Sequence, residues 1–123
     1  MNKENLKTLI ATIEEAAKNG AFDLNHYVHE CGSPACIAGY AAHLLGRLPT
    51  DGSELTNYDF HKILADYLDV YMYDAREIAQ GFCDIGGISV EPRAKEAVQH
   101  LKNMLEAGRV LTWRNYFDAH GWD

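Results

Sequence analysis

Basic residues are scarce in this sequence, and that shortage restricts its partners. Lys and Arg together number 11 against 18 Asp and Glu, which gives a formal net charge of -7 at pH 7. A negative field repels the phosphate backbone of nucleic acids and the surface of anionic membranes. The composition therefore argues against a protein that binds nucleic acid directly.

Long apolar runs and an export signal are also lacking. The N-terminal segment carries Glu14 and Glu15 inside its apolar pattern, which does not fit a signal-peptide core, and no apolar run is long enough to cross a bilayer. Three cysteines, an odd number, without an export signal favour reduced thiols over a disulfide framework. The sequence predicts a cytoplasmic protein with no membrane segment, and it leaves the oligomeric state open.

The residues that are present suffice for one hydrophobic core. Hydrophobic residues make up 47% of the chain and charged residues 24%, as in ordinary globular proteins. A chain of 123 residues fits one domain without disulfides or metal. We therefore predict a single helical domain over residues 1–123, of the all-α class, with five or six helices in a compact bundle around a central buried helix at 34–48.

The central helix is predicted from the segment 31–48, CGSPACIAGYAAHLLGRL. Ser33 suits the N-cap and Pro34 the first helical turn, and the helix is expected to end before Pro49. At about 100° per residue, one face of this helix is apolar and another is made of small residues. The small residues are Ala35, Gly39, Ala42 and Gly46. Because glycine weakens a helix, the two glycines are expected to mark the close approach of a second helix.

Periodicity and capping signals predict the helices before and after the central one. Apolar residues recur at helical spacing over 3–19, and Gly20 follows where a left-handed residue would end the helix. Thr56, with Asp59 three residues later, forms a capping arrangement at the start of a third helix. That helix is expected to bury five residues: Phe60, Ile63, Leu64, Tyr67 and Leu68.

Two more helices are predicted in the second half of the chain. Asp74 is expected to cap a short helix over 74–82, which buries Ala, Ile and Phe side chains. Ser89 is expected to cap the last long helix, which ends at Gly108. We predict no strand pair in the chain.

The order of these signals resembles a family of small uncharacterised phage, prophage and bacterial proteins. Members of that family have a CGTxxCxAGWA helix and a closing GxVxW segment, and here the central motif reads CGSPACIAGYA. This chain departs from the pattern at Ser33, at Tyr40 and in a closing segment that is one residue longer. The matching pieces are residues 5–10, 22–24 with Tyr27, 31–41, 63–82 and 108–113. The resemblance implies a single helical domain and a mobile-element context, and it assigns no catalytic residue.

A cluster of soft ligands precedes and enters the central helix. His26, His29, Cys31 and Cys36 are the ligand types that tetrahedral zinc prefers, although their spacing is not that of a standard zinc finger. One hypothesis is therefore a zinc site formed by these four residues. The alternative is a purely structural role, which is more frequent for cysteines without a recognised motif. In that interpretation Cys36 packs as a small apolar residue in the first helical turn, Cys31 fills a corner beneath the loop, and both histidines are solvated.

A reactive thiol is the third interpretation of this cluster. In the first turn of a helix, the thiolate of Cys36 would be favoured by unpaired amides and by the helix dipole. His43 lies two turns further along, at about 11 Å, which is too far for direct proton transfer. Any general base for Cys36 would therefore have to come from elsewhere, such as His26 or His29. The chain shows no complete catalytic constellation, and we favour a protein that is not an enzyme.

Acidic and tyrosine side chains concentrate in the region 59–77. Clustered carboxylates on a small acidic protein can occupy a basic groove of another protein, and tyrosines beside charges suit an interface. A solvated helix face is the commoner explanation of such a pattern. The tyrosines in or next to this region are Tyr58, Tyr67, Tyr71 and Tyr73. The candidate partner-binding residues are Asp59, Asp66, Asp69, Tyr71, Asp74 and Glu77.

We therefore expect a non-enzymatic accessory protein of a phage or prophage that binds a host or phage protein. Its sharpest form is an acidic inhibitor of a host nuclease or defence complex. The alternative hypothesis is a zinc-binding or thiol-dependent protein that uses the His26, His29, Cys31 and Cys36 cluster. No other cofactor is expected.

Overall fold

The fold is mostly helical, in agreement with the predicted all-α class. The computed structural model describes residues 1–22, 28, 34, 36–49, 55–79, 83–85, 88–90 and 94–111. The helices of this part of the chain are α1 (Lys3–Lys18), α2 (Ile37–Leu44), α3 (Asn57–Leu68), α4 (Met72–Ala79) and α5 (Ala94–Ala107). Two short strands, β1 (Cys83–Ile85) and β2 (Ile88–Val90), lie between α4 and α5. None of the helices in these ranges is long and apolar enough to cross a membrane.

The first helix has the predicted bounds to within one residue. The Asn2 side chain accepts a hydrogen bond from the amide of Asn5 and caps the N-terminus of α1. At the other end, Gly20 has φ +69°, the left-handed conformation that the sequence predicted. The amides of Gly20 and Ala21 donate to the carbonyls of Ala17 and Ala16, which satisfies two carbonyls of the last turn.

The second helix lies in the core, as predicted. All residues from 37 to 42 are buried, and α2 packs against α1, α3 and α4. Its lower bound is three residues later than expected, because Pro34 forms an antiparallel bridge with Val28 and Cys36 is still extended, with φ -100° and ψ -177°. The prediction of a helix that begins at Ser33 and Pro34 is therefore wrong. Cys36 is the N-cap residue of α2 and does not lie in its first turn.

The predicted role of Gly46 is also wrong. The helix ends at Leu44, and Gly46 has φ +68° with no atom within 4 Å of the position that a Cβ would occupy. The amides of Gly46 and Arg47 donate to the carbonyls of His43 and Ala42 at 3.0 and 2.9 Å. This is the hydrogen-bond pattern of a glycine-ended helix, so Gly46 serves the turn and not a helix contact. Gly39, in contrast, is buried inside α2.

The third helix confirms its capping prediction. The Thr56 hydroxyl accepts from the amide of Asp59 at 3.1 Å, and the Asp59 carboxylate accepts from the amide of Thr56 at 2.9 Å. The five apolar side chains that were predicted for its inner face are all buried. The sequence therefore placed both the start and the buried face of α3 correctly.

The fourth helix begins earlier than predicted. It starts at Met72, so Asp74 lies inside the first turn and does not cap the helix. Ala75, Ile78 and Ala79 are nevertheless buried against the core, as expected, whereas Phe82 lies outside the described residues. The α4 helix packs mainly on α3.

The hairpin of β1 and β2 was not predicted. Its strands are antiparallel, with Cys83 opposite Val90 and Ile85 opposite Ile88. Ser89 lies in β2 and therefore does not cap the last helix, which begins at Ala94. The register leaves two residues between the strands, Gly86 and Gly87, and a Gly-Gly pair between β-branched residues is a recognised hairpin signal.

The fifth helix packs along α1 and completes the core. Ala97, Leu101 and Met104 are fully buried on its inner face, as predicted. The helix ends before Gly108, which has φ +71°. Lys102 Nζ also lies 3.3 Å from Glu14 Oε2 of α1 at the edge of this contact.

Candidate functional site

Most of the predicted metal cluster lies outside the described residues. His26, His29 and Cys31 belong to that part, whereas Cys36 is described and is 1% exposed. Cys36 is one of the residues of the hydrophobic core. In the described ranges, no three His, Cys, Asp or Glu side chains come together in a way that could hold a metal ion. The zinc and thiol hypotheses therefore stay predictions, and the position of Cys36 fits its packing role.

By helical spacing, Cys36, Tyr40, His43 and Arg47 fall on one polar strip of the central segment, and the structure buries the first two and exposes the last two. Tyr40 is buried, and its ring stacks on that of Phe22 with centroids 6.3 Å apart. Burial raises the pKa of the Tyr40 hydroxyl above its ordinary value. His43 and Arg47 are exposed. The four side chains therefore do not share one solvent-accessible site.

Asp66, a predicted partner-binding residue, is engaged within the protein. Its carboxylate lies 3.0 Å from the ammonium of Lys62 and 3.3 Å from the guanidinium of Arg47. The hydrogen bond from Lys62 is the main reason that the pKa of Asp66 falls below its usual value, and Arg47 adds to the effect. Two cations thus neutralise the carboxylate. One of them, Arg47, lies in the turn after α2.

Asp59 also has a structural role. Its carboxylate accepts the Thr56 amide in the cap of α3, which leaves it partly covered by its own helix. Tyr67, in the predicted tyrosine concentration, is 5% exposed, and burial raises its pKa. Tyr67 therefore belongs to the core and not to an interface.

The remaining predicted residues lie where α3 meets α4. Asp69 ends α3 with φ +55°, and α4 begins three residues later. Tyr71 is 83% exposed and Tyr73 is 68% exposed. We define the corner surface as Asp69, Tyr71, Tyr73, Asp74 and Glu77.

The arrangement of the corner surface follows from the geometry of α4. Ala75, Ile78 and Ala79 point inward, so the opposite side of the helix carries Tyr73 and Glu77, which are one turn apart. Residues four apart on a helix have Cβ atoms about 6 Å from each other, so these two side chains are neighbours on the outer side. The ring of Tyr73 and the carboxylate of Glu77 thus lie side by side on the outer side of α4.

The carboxylates of the corner surface differ from that of Asp66. In the described part of the chain, Asp69, Asp74 and Glu77 form no ion pair, whereas Asp66 forms two. Asp69 is exposed and the other two are partly exposed. These three negative charges are therefore open to a partner.

A cation and a histidine lie beside the corner surface. Arg76 of α4 is exposed, and its charge acts on His61 of α3. Burial first, and then this charge, lower the pKa of His61. The positive charge of Arg76 therefore lies toward α3, on the His61 side of α4.

His100 is a buried polar residue that was not predicted from the sequence. It is 0% exposed on the inner face of α5. The helical period contained the signal, because His100 lies three residues after Ala97 and four before Met104, both of which are buried. A histidine at that helical spacing is expected to point inward.

Comparisons of this chain with protein-family models, with curated proteins and with solved structures found no match. The resemblance of CGSPACIAGYA to a phage and bacterial motif is accordingly an expectation from those residues alone.

Proposed function

We propose that this protein is a non-enzymatic accessory protein that acts by binding another protein through the corner surface. The observation that carries the proposal is the exposure of Tyr71 and Tyr73. Four large apolar or aromatic side chains are exposed in the described residues, and two of them belong to this one surface. Tyrosine is enriched at protein interfaces because its ring supplies contact area and its hydroxyl a hydrogen bond.

The proposed partner is a host or phage protein. The mobile-element context comes from the resemblance of the central motif. The sharper form of the proposal is the inhibition of a host nuclease or defence complex by an acidic surface. Because the carboxylates of Asp59 and Asp66 already bond to other groups of this chain, this inhibitory contact rests on Asp69, Asp74 and Glu77.

Comparative affinity purification tests the proposal. The wild-type protein and the Tyr71→Ser/Tyr73→Ser variant are used as baits in lysate of the natural host, with Tyr58→Ser as the matched control. Tyr58 is 65% exposed but lies at the start of α3, outside the corner surface. We expect a partner that the wild type and the control retain and the double variant loses.

The proposal fails if folded double variant and wild type retain the same proteins in the same amounts. Far-ultraviolet circular dichroism of each bait establishes that it is folded, since all three tyrosines are exposed and their replacement removes no core contact. A defect in binding with an unchanged helical spectrum is therefore assigned to the surface.

A further inference from the structure

We infer that the segment of the partner that docks on the corner surface is rich in arginine. The inference rests on the proposed function and specifies the chemistry of the partner. The occupant has to satisfy two exposed tyrosine rings and three carboxylates at once. A guanidinium group meets both demands, because it stacks on an aromatic face and pairs with a carboxylate in a planar, bidentate geometry.

The charge of the surface supports a basic occupant. Asp69, Asp74 and Glu77 lie within nine residues of each other and form no ion pair among the described residues, in contrast to Asp66. The neighbouring charge of Arg76 lies on the α3 side of α4. The whole chain adds a net charge of -7. Such a field accelerates encounter with a positive surface and opposes encounter with nucleic acid.

The placement of Tyr73 and Glu77 favours arginine over lysine. The two side chains are one turn apart on the outer side of α4. A guanidinium lying on the Tyr73 ring is within reach of the Glu77 carboxylate, so that one arginine makes both contacts. A lysine ammonium is a compact and strongly hydrated charge, and it gains less from the ring.

A second copy of this chain is a poorer occupant. Its net charge is also negative, so two acidic surfaces would repel each other. Two of the cations that it has to offer, Arg47 and Lys62, already share the carboxylate of Asp66. Self-association through this surface therefore lacks complementary charge.

Peptide titrations test the inference. Fluorescently labelled peptides of alternating Arg and Gly, or of alternating Lys and Gly, are titrated with the protein and followed by anisotropy. The variants are Tyr71→Ser/Tyr73→Ser and Asp69→Asn/Asp74→Asn/Glu77→Gln. The matched control is Glu4→Gln/Glu15→Gln/Glu106→Gln, which removes the same charge from three exposed positions elsewhere.

We expect tighter binding of the arginine peptide than of the lysine peptide. Neutralising the corner carboxylates should weaken the arginine peptide about tenfold, the effect of three exposed ion pairs, while the control triple variant stays within about twofold of wild type. The tyrosine variant should remove the preference for arginine over lysine. Equal weakening by the corner and control triple variants, or equal affinity for both peptides, overturns the inference.

Failure of this inference is distinguishable from failure of the proposed function. If the corner triple variant still captures the partner that Tyr71→Ser/Tyr73→Ser loses, the surface binds a partner but not through arginine. If neither variant loses a partner, the proposed function is overturned and the inference with it.

Discussion

The side-chain amide of Asn5 donates a hydrogen bond of 2.7 Å to the backbone carbonyl of Tyr67. The bond joins the first turn of α1 to the last turn of α3, and the amide of Asn2 donates to the next carbonyl, that of Leu68. The last carbonyls of a helix have no partner inside the helix. The start of α1 thus satisfies the end of α3, immediately before the corner surface.

This contact makes Asn5 a stability determinant. We expect Asn5→Ala to lower the free energy of unfolding by about 1 kcal/mol, because a partly buried carbonyl loses its donor. Urea denaturation measures the change, with Asn57→Ala as a control at an exposed position. Equal stability of Asn5→Ala and wild type would contradict the assigned role.

Asp69 is the one described residue other than glycine that has a positive φ. Since the left-handed conformation is unfavourable for a side chain branched at Cβ, Asp69→Val should destabilise the protein by about 1–2 kcal/mol. Asp69→Gly should be at least as stable as wild type, and Asp69→Asn should be close to it. Thermal denaturation of the three variants measures the order, and a valine variant as stable as the glycine variant would show that this backbone geometry is not adopted.

The lowered pKa of His61 predicts a pH dependence. The unfolded chain takes up a proton near the ordinary value of 6.5, whereas burial and Arg76 keep His61 neutral in the fold to lower pH. The unfolded state therefore binds more protons as the pH falls below that value, and the stability that His61 contributes at higher pH is lost. We expect His61→Gln to reduce the fall in stability between about pH 7 and pH 5.

Urea midpoints of wild type and His61→Gln across this pH range provide the measurement. His43→Gln is the control, because His43 is exposed. If His61→Gln and wild type lose stability in parallel as the pH falls, the neutral state of His61 in the fold is not the cause of that loss.

The burial of Cys36 predicts a protected thiol. In a Cys31→Ser/Cys83→Ser variant, we expect Cys36 to react with a thiol reagent much more slowly in the native protein than in denaturant, because the side chain is 1% exposed. Spectrophotometric assay with an aromatic disulfide reagent measures both rates. A native rate near that of the denatured chain would instead support a reactive thiol.

Packing of Cys36 in the core also bears on the zinc hypothesis. We expect elemental analysis of untagged protein to find no stoichiometric zinc, since the thiol belongs to the hydrophobic core. One equivalent of zinc that is lost on Cys31→Ser would establish the His26, His29, Cys31 and Cys36 site and remove the packing interpretation.

The sequence predicted those parts of the fold that local signals control. The buried face of α3 and its cap followed from helical spacing and from the Thr56 and Asp59 pair. The end of α1 followed from Gly20. The start of α2 did not, because the bridge between Val28 and Pro34 overrides a good local cap at Ser33. The missed hairpin is different, since the Gly86 and Gly87 pair was a readable signal.

The candidate site was likewise predicted only in those parts that local signals control. The sequence named Tyr71, Asp74 and Glu77 as partner-binding residues, but it started the helix at Asp74 and therefore did not predict that Tyr73 and Glu77 lie one turn apart on α4. It did not reveal that Asp66 is neutralised, because Arg47 comes from a different part of the chain, 19 residues away. Ion pairs between residues far apart in the chain depend on how the helices pack, and the spacing of residues within one helix does not predict that packing.

Hydrogen exchange of the captured complex locates the surface through which the protein binds its partner. The amides of Met72, Tyr73 and Asp74 lie in the first turn of α4, where amides lack helical partners and exchange quickly in the free protein. Exchange measured by mass spectrometry on the protein with and without its partner should slow across residues 69–77. Unchanged exchange over 69–77, with protection confined to another part of the chain, would contradict binding through the corner surface.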